Sequence, residues 1–334
     1  MGIRGLATYL KWKTPQIRLP VLWSGRIGQR WGIDCSCIMY KARAVGLSHV
    51  TVMASLIVQM RAAGIQPVVV FDGRPPAAKA DVIESRRVVR EAAHKEMADI
   101  RTELTVGTHT EVKRAELETR VASLQRKAPQ VTNTDKDDLK KFLYAAGVQF
   151  VTAAGEADDV LAYLYHSGYI TTIVSTDMDM LARGVWSLVI PETADATVLT
   201  EIRLDNLLTA LGLTYNQFVT ACTLMGTDYT GKGWRSIEPR IAVERARGGL
   251  DLSTMDASGT VCVMLVTAAA RLRGIDVKWE EIVSERQRDK WSMGVPAREP
   301  DSLTEFGKRY EWPQDWVCAM CGYFLNDRGE QIYY

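Results

Sequence analysis

The sequence predicts an α/β fold: a mostly parallel central sheet flanked by helices. Three observations point there. Three short apolar runs, Trp31-Gly32-Ile33-Asp34, Pro67-Val68-Val69-Val70-Phe71-Asp72 and Thr171-Thr172-Ile173-Val174-Ser175-Thr176-Asp177, are β-branched or aromatic and bounded by polar residues or Gly, as strands are. Their apolar character is continuous rather than alternating, which marks strands buried on both faces. Helical patterns lie between them, at Val50 to Ala63 and Ala157 to His166, and strands alternating with helices build parallel sheets.

The remaining elements follow in order. From about Pro75 to Val131 the chain turns polar, rich in Lys, Arg, Glu and Ala. Two helices are predicted there, Lys79 to Leu104 and Thr110 to Arg126, with a break near Gly107. By composition this segment is a solvated helical hairpin; the functional alternative is an arm over an active site. Beyond Leu204 further helices are predicted at Leu204 to Leu211, Tyr215 to Met225, Ile241 to Ala246 and Val261 to Arg273. Gly226, Gly231, Gly233 and Pro239 punctuate them. The division expected is a core over 1–220, carrying the insertion at about 75–131, and a helical region over 221–334.

Composition excludes several classes. The 334 residues are 47% hydrophobic and 24% charged, ordinary for a globular protein. No apolar run approaches the ~18–20 residues of a membrane span, and Met1-Gly2-Ile3-Arg4-Gly5-Leu6 lacks the pattern of a signal peptide. The expectation is an intracellular protein, reduced, without a disulfide framework for its six cysteines. Cys318-Ala319-Met320-Cys321 is a lone pair without a second zinc pair nearby, and reads as two cysteines one turn apart on a helix. A net charge of +1 means that any basic surface must be local.

The chemistry lies in the acids. All three strand candidates end in aspartate, at Asp34, Asp72 and Asp177, and in a parallel sheet the carboxyl ends of the strands share the edge where ligands bind. Asp177-Met178-Asp179 adds a second acid, and Gly155-Glu156-Ala157-Asp158-Asp159 opens an apolar helix. One acid in such a place can simply cap a helix. Five or more together repel one another, and their pKa values rise unless a cation is present. Oxygen-only ligands favour Mg²⁺ or Mn²⁺ over Zn²⁺. Two such ions form the usual clamp for in-line attack on a phosphodiester.

At these residues the sequence resembles the flap endonuclease and XPG group of structure-specific 5′ nucleases. The opening Met1 to Leu6, Ile33-Asp34-Cys35-Ser36 with Tyr40, Val70 to Pro76 with Lys79 and Arg86, Gly155 to Asp158, Ser175 to Asp179, and Leu224-Met225-Gly226-Thr227-Asp228-Tyr229 match its motifs in order. The resemblance implies a PIN-like nuclease core with a helical arch and a C-terminal helix–turn–helix element that binds duplex DNA. It implies seven metal-site carboxylates: Asp34, Asp72, Glu156, Asp158, Asp177, Asp179 and Asp228. Helix geometry alone pairs Glu156 with Asp159, so Asp159 stands as the rival of Asp158. Lys79 and Arg86 match a basic pair that grips the scissile phosphate, where a solvated helix face is the plainer reading. Asp179 is the acid chosen as catalytically essential. Gly2 lies near the site in this pattern, and Tyr40 matches an aromatic on which a base stacks, or else packs under the sheet. Arg87 and Arg90 on the arch would follow the phosphates of a single strand.

The resemblance thus implies a Mg²⁺-dependent 5′ flap endonuclease and 5′→3′ exonuclease acting on DNA junctions in replication or repair. Two ions are expected, with Mn²⁺ as substitute, in a monomer located in the nucleus of a eukaryote or otherwise the cytoplasm. Two alternatives share the fold, an endoribonuclease and a non-catalytic junction-binding relative; no expected carboxylate is missing, which disfavours the second. One departure stands out. Where the family carries Gly-Ile-Gly-Pro, this chain has Ser236-Ile237-Glu238-Pro239. The loss of both glycines removes close backbone approach to phosphate and puts the family's bound K⁺ in question. Lys232, Arg235 and Arg240 are candidate side-chain substitutes. Gln331-Ile332-Tyr333-Tyr334 is too short for a sliding-clamp motif.

Overall fold

A computed structural model describes residues 2–76, 79–228, 230, 236–250, 252, 278–325 and 331–333. Strands β1 (Arg18–Pro20), β2 (Arg30–Asp34), β3 (Gln66–Phe71), β4 (Gln149–Thr152), β5 (Thr172–Val174), β6 (Ser187–Pro191) and β7 (Leu199–Arg203) form one sheet in the order β1-β7-β6-β5-β2-β3-β4. The five strands from β6 to β4 run parallel; β7 is antiparallel to both β6 and β1. The sheet is therefore mostly parallel, as expected. Two strand candidates match within a residue. The third is shorter than Thr171 to Asp177: pairing ends at Val174, because Ser175 turns its hydroxyl onto Asp34 and accepts the Asp177 amide.

Helices cover both faces: α1 (Leu6–Lys13), α2 (Cys35–Ala44), α3 (His49–Ala62), α6 (Asn133–Ala145), α7 (Ala157–His166), α8 (Asp179–Ala182), α9 (Leu204–Leu211), α10 (Tyr215–Met225) and α11 (Pro239–Arg247). Local chemistry starts them. Ser48 caps α3 by accepting the Thr51 amide, while Thr132 with Asp135 and Thr214 with Gln217 form capping boxes for α6 and α10. Side chains of β3 alternate between two cores. Val68 and Val70 join α1, α7, α9 and α10, whereas Val69 and Phe71 join α2, α3 and α6. Gly32 permits close packing behind β2, where a Cβ would lie 2.5 Å from Ile170 Cδ1 and 2.7 Å from Leu161 Cδ2.

The polar insertion forms two long helices, α4 (Ala80–Val106) and α5 (Glu111–Lys127), broken at Gly107 and restarted by Thr110, which caps α5. At 1.5 Å per residue α4 is about 40 Å long. The insertion is less uniformly solvated than its composition suggests. Ala93, Met97, Ile100, Leu124 and Ala128 make a small core of its own, and the His94 ring donates to the Ala128 carbonyl at 2.9 Å.

The described parts of 221–334 pack back onto the sheet layers. Trp279 stacks on Tyr163 of α7, with ring centroids 5.3 Å apart. Phe306 of helix Pro300–Arg309 and Trp312 pack edge-on against Phe142 of α6. Cys318 and Cys321 lie on helix Gln314–Cys321 as read from the sequence, and the cysteines among the described residues are free. The helix expected at Val261 to Arg273 lies outside the described residues. No helix among the described residues is long and apolar enough to cross a membrane.

Candidate active site

The parallel order places β5, β2 and β3 side by side, so the acids at their carboxyl ends meet along one edge. Asp34 closes β2 and caps α2, accepting the Cys37 amide at 3.2 Å and the Ser175 hydroxyl at 2.8 Å. Asp72 follows β3; it accepts the Ala157 amide at 2.8 Å and the Ser36 hydroxyl. Asp177 lies in the turn after β5 and accepts the Asp179 amide at 2.9 Å. Glu156 is the N-cap of α7, and Asp158 occupies its first turn. Asp179 opens α8. Asp228 arrives from beyond α10.

The edge is crowded with negative charge. Burial, then the charge of Asp72, pushes the Asp34 carboxyl up to about 7 against the hydrogen bonds from Ser175 and Cys37. Burial and Asp177 push Asp179 up to about 8. Burial and Asp177 raise Asp158 well above the usual carboxylate range. A protein can hold such a cluster ionised only with cations in it.

The arm supplies two of those cations. Lys79, at the base of α4, lies 2.5 Å from Glu156 Oε1 and 3.7 Å from Asp228 Oδ2. Arg86, two turns on, donates to Asp228 at 3.1 Å. The solvated-face reading is thus overturned for these two. Arg87 is exposed and pairs with Glu84 and Glu91, and Arg90 is half-buried.

Gly2 sits against the acids, with φ +86°. A Cβ there would lie 2.2 Å from Asp177 Oδ1 and 2.5 Å from Asp179 Oδ1. The Arg4 amide donates to the Gly226 carbonyl, fastening the N-terminal segment beside α10. Tyr40 on α2 is half-buried and lies outside both cores. Glu238 is the exposed N-cap of α11, Arg240 is exposed and pairs with Glu244 at 2.9 Å, and Lys232 and Arg235 lie outside the described residues.

The rivals Asp158 and Asp159 have different surroundings. Asp159 is buried and paired with buried Arg183 at 2.8 Å, whereas Asp158 feels Asp177, Asp34 and Asp72. Sequence reasoning passed over Arg183, although a lone arginine within Met180-Leu181-Ala182-Arg183-Gly184-Val185 is the sign of a buried partner. It also passed over Ser36 and Ser175, hydroxyls adjoining the acidic motifs.

Divalent cations fit this edge. Its donors are all oxygens, and Asp179 Oδ1 is buried with no hydrogen-bond partner among the described residues, as an atom reserved for a cation would be. Among the described residues, no three acidic, histidine or cysteine side chains close into a cage around one point. Mg²⁺ keeps several waters and takes few protein ligands, so it asks for fewer carboxylates than a closed cage would supply.

Comparison with known proteins agrees with this geometry. The XPG N-terminal domain model matches residues 1–93 and the XPG I-region model residues 147–228, together more than half of the chain. Flap endonuclease 1 of Babesia bovis is 25% identical over 322 residues, spanning 92% of this chain. That of Salmo salar is 29% identical over 279 residues, spanning 77% of this chain and 70% of its own length. The chain covers only 45% of the Babesia bovis protein. Among solved structures, the catalytic core of Rad2 in complex with DNA substrate aligns with a TM-score of 0.58 at 18% identity, over 96% of this chain and 98% of its own. The Holliday junction-resolving enzyme GEN1, in complex with product DNA and Mg²⁺, aligns at 0.57 and 15% identity, over 96% and 77%. At such identities these two likenesses establish the fold.

Proposed function

The chain belongs to the XPG family of nucleases, and from that premise we propose that it is a metal-dependent 5′ flap endonuclease with 5′→3′ exonuclease action on DNA junctions. The observation that carries the reading is the meeting of seven carboxylates and two arm cations on one sheet edge, with Asp179 Oδ1 left unsatisfied. The relatives named flap endonuclease 1 and the DNA-bound neighbours support it.

In this reading Asp34, Asp72, Glu156, Asp158, Asp177, Asp179 and Asp228 hold two Mg²⁺ ions, for which Mn²⁺ substitutes. Bound there, the ions would supply an activated water and neutralise charge on the phosphate. Lys79 and Arg86 exchange their carboxylate partners for the scissile phosphate and stabilise the charge that develops on it. The water oxygen bonds to phosphorus, the bond to the 3′ oxygen breaks, that oxygen takes up a proton, and the downstream strand keeps a 5′ phosphate. Tyr40 stacks on a base beside the cut. Side chains such as Arg240 take over duplex contact where the hairpin glycines are replaced. The protein works as an intracellular monomer, nuclear in a eukaryote.

The test uses end-labelled DNA with a 5′ flap beside matched blunt duplex, single strand and RNA, each in Mg²⁺ or EDTA. The expected result is Mg²⁺-dependent cutting at the flap base that Asp179→Ala abolishes. Preferential cutting of RNA, or cutting that survives in EDTA, would sink the proposal.

A further inference from the structure

Asp179 stands on α8, one turn of four residues, far shorter than a helix that persists unaided. Three contacts from other elements hold that turn. Arg183, its C-cap, donates to Asp159 at 2.8 Å, and the two side chains are 1% and 5% exposed. The His166 ring, at the end of α7, donates to the Arg183 carbonyl at 2.8 Å. The Tyr215 hydroxyl, from α10, donates to the Ala182 carbonyl at 2.7 Å.

The first contact is the informative one. Asp159 adjoins Asp158 in the first turn of α7, next to the Glu156 cap. The pair therefore ties the turn bearing Glu156 and Asp158 to the turn bearing Asp179. A buried ion pair seldom repays the desolvation of its two charges, so stability alone is a weak reason for having one. Fixed spacing between ligands that come from different elements is a better one, because partners behind a metal ligand orient it.

We propose that Arg183 and Asp159, assisted by Tyr215, are positioning residues that lock α8 to the first turn of α7 and so set Asp179 against Asp158 across the metal edge. This rests on the two-metal reading above. The Arg183 guanidinium lies behind both turns through its buried pair with Asp159.

The test measures Mn²⁺ binding by calorimetry, thermal unfolding, and flap cleavage resolved into kcat and KM. The variants are the apolar double Asp159→Leu/Arg183→Met, the conservative Arg183→Lys and the mild Tyr215→Phe. The expectation is a double variant that folds and binds Mn²⁺ roughly ten- to a hundredfold more weakly, with kcat reduced and KM for DNA unchanged. Arg183→Lys and Tyr215→Phe should weaken Mn²⁺ binding less and in the same direction. If the double variant fails to fold, these two decide the matter. Folded variants with wild-type Mn²⁺ affinity overturn the proposal. A wild-type protein that neither binds Mn²⁺ nor cuts DNA would instead overturn the functional reading, so the two failures are distinguishable.

Discussion

A single carbon added at Gly2 would stand 2.2 Å from Asp177 Oδ1 and 2.5 Å from Asp179 Oδ1. Both contacts are closer than atoms tolerate, and the φ of +86° is strained for any residue with a side chain. Gly2→Ala must push the N-terminal segment off the acids or displace Asp179. A shift of about 1 Å at a reacting centre costs on the order of a hundredfold in rate. We expect that loss in kcat together with a lowered melting temperature; wild-type turnover would show that the N-terminal segment plays no part. At this scale the sequence was informative about charge and silent about partners. The seven candidate acids came from the family pattern, and three of them from strand ends alone. The choice between Asp158 and Asp159 was not legible in spacing, because helical spacing favours Asp159 and only the fold reveals Arg183 behind it.

Among the elements, the arm is the one whose two ends differ. Its base reaches the acids through Lys79 and Arg86, while its outer faces are laced with exposed pairs such as Arg114 with Glu118 and Arg120 with Glu96, each worth little. What joins α4 to α5 is the small core around Leu124, which is 5% exposed. Leu124→Ala should cost about 2–3 kcal/mol and be felt locally. Hydrogen exchange should speed up along α4 and α5 while β2 and β3 keep their protection; a uniform change would mean that the arm unfolds only with the whole. The arm's helices were legible from composition and the Gly107 break, but its core was not, since Met97, Ile100 and Leu124 are sparse among charges. Strands β4 and β6 carried readable signals in Phe150-Val151 and Leu188-Val189-Ile190. β1 and β7 did not: Arg18-Leu19-Pro20 and Leu199-Thr200-Glu201-Ile202-Arg203 are short and polar, and they became strands by pairing antiparallel at the sheet margin.

For the whole molecule, the buried acids make stability depend on pH with a definite sign. Asp34 and Asp179 lie at about 7 and about 8 in the fold, against an ordinary value of 3.8. Between those limits the folded chain holds protons that the unfolded chain has released, so metal-free stability falls as pH rises from about 4 to about 8. Cations bind the ionised carboxylates, and stabilisation by Mn²⁺ should therefore grow over the same window. Melting temperatures in EDTA and in Mn²⁺ at about pH 5 and about pH 8 would check both signs; a metal-free protein more stable at the higher pH would contradict them. The parallel order of the sheet has a further consequence, for the moment of birth. Ser175 reaches Asp34 across 141 residues and Arg86 reaches Asp228 across 142. Contacts this distant along the chain form late in folding. A ribosome must therefore release Asp228 before the edge can close, and no shorter nascent fragment carries the complete set of acids along it.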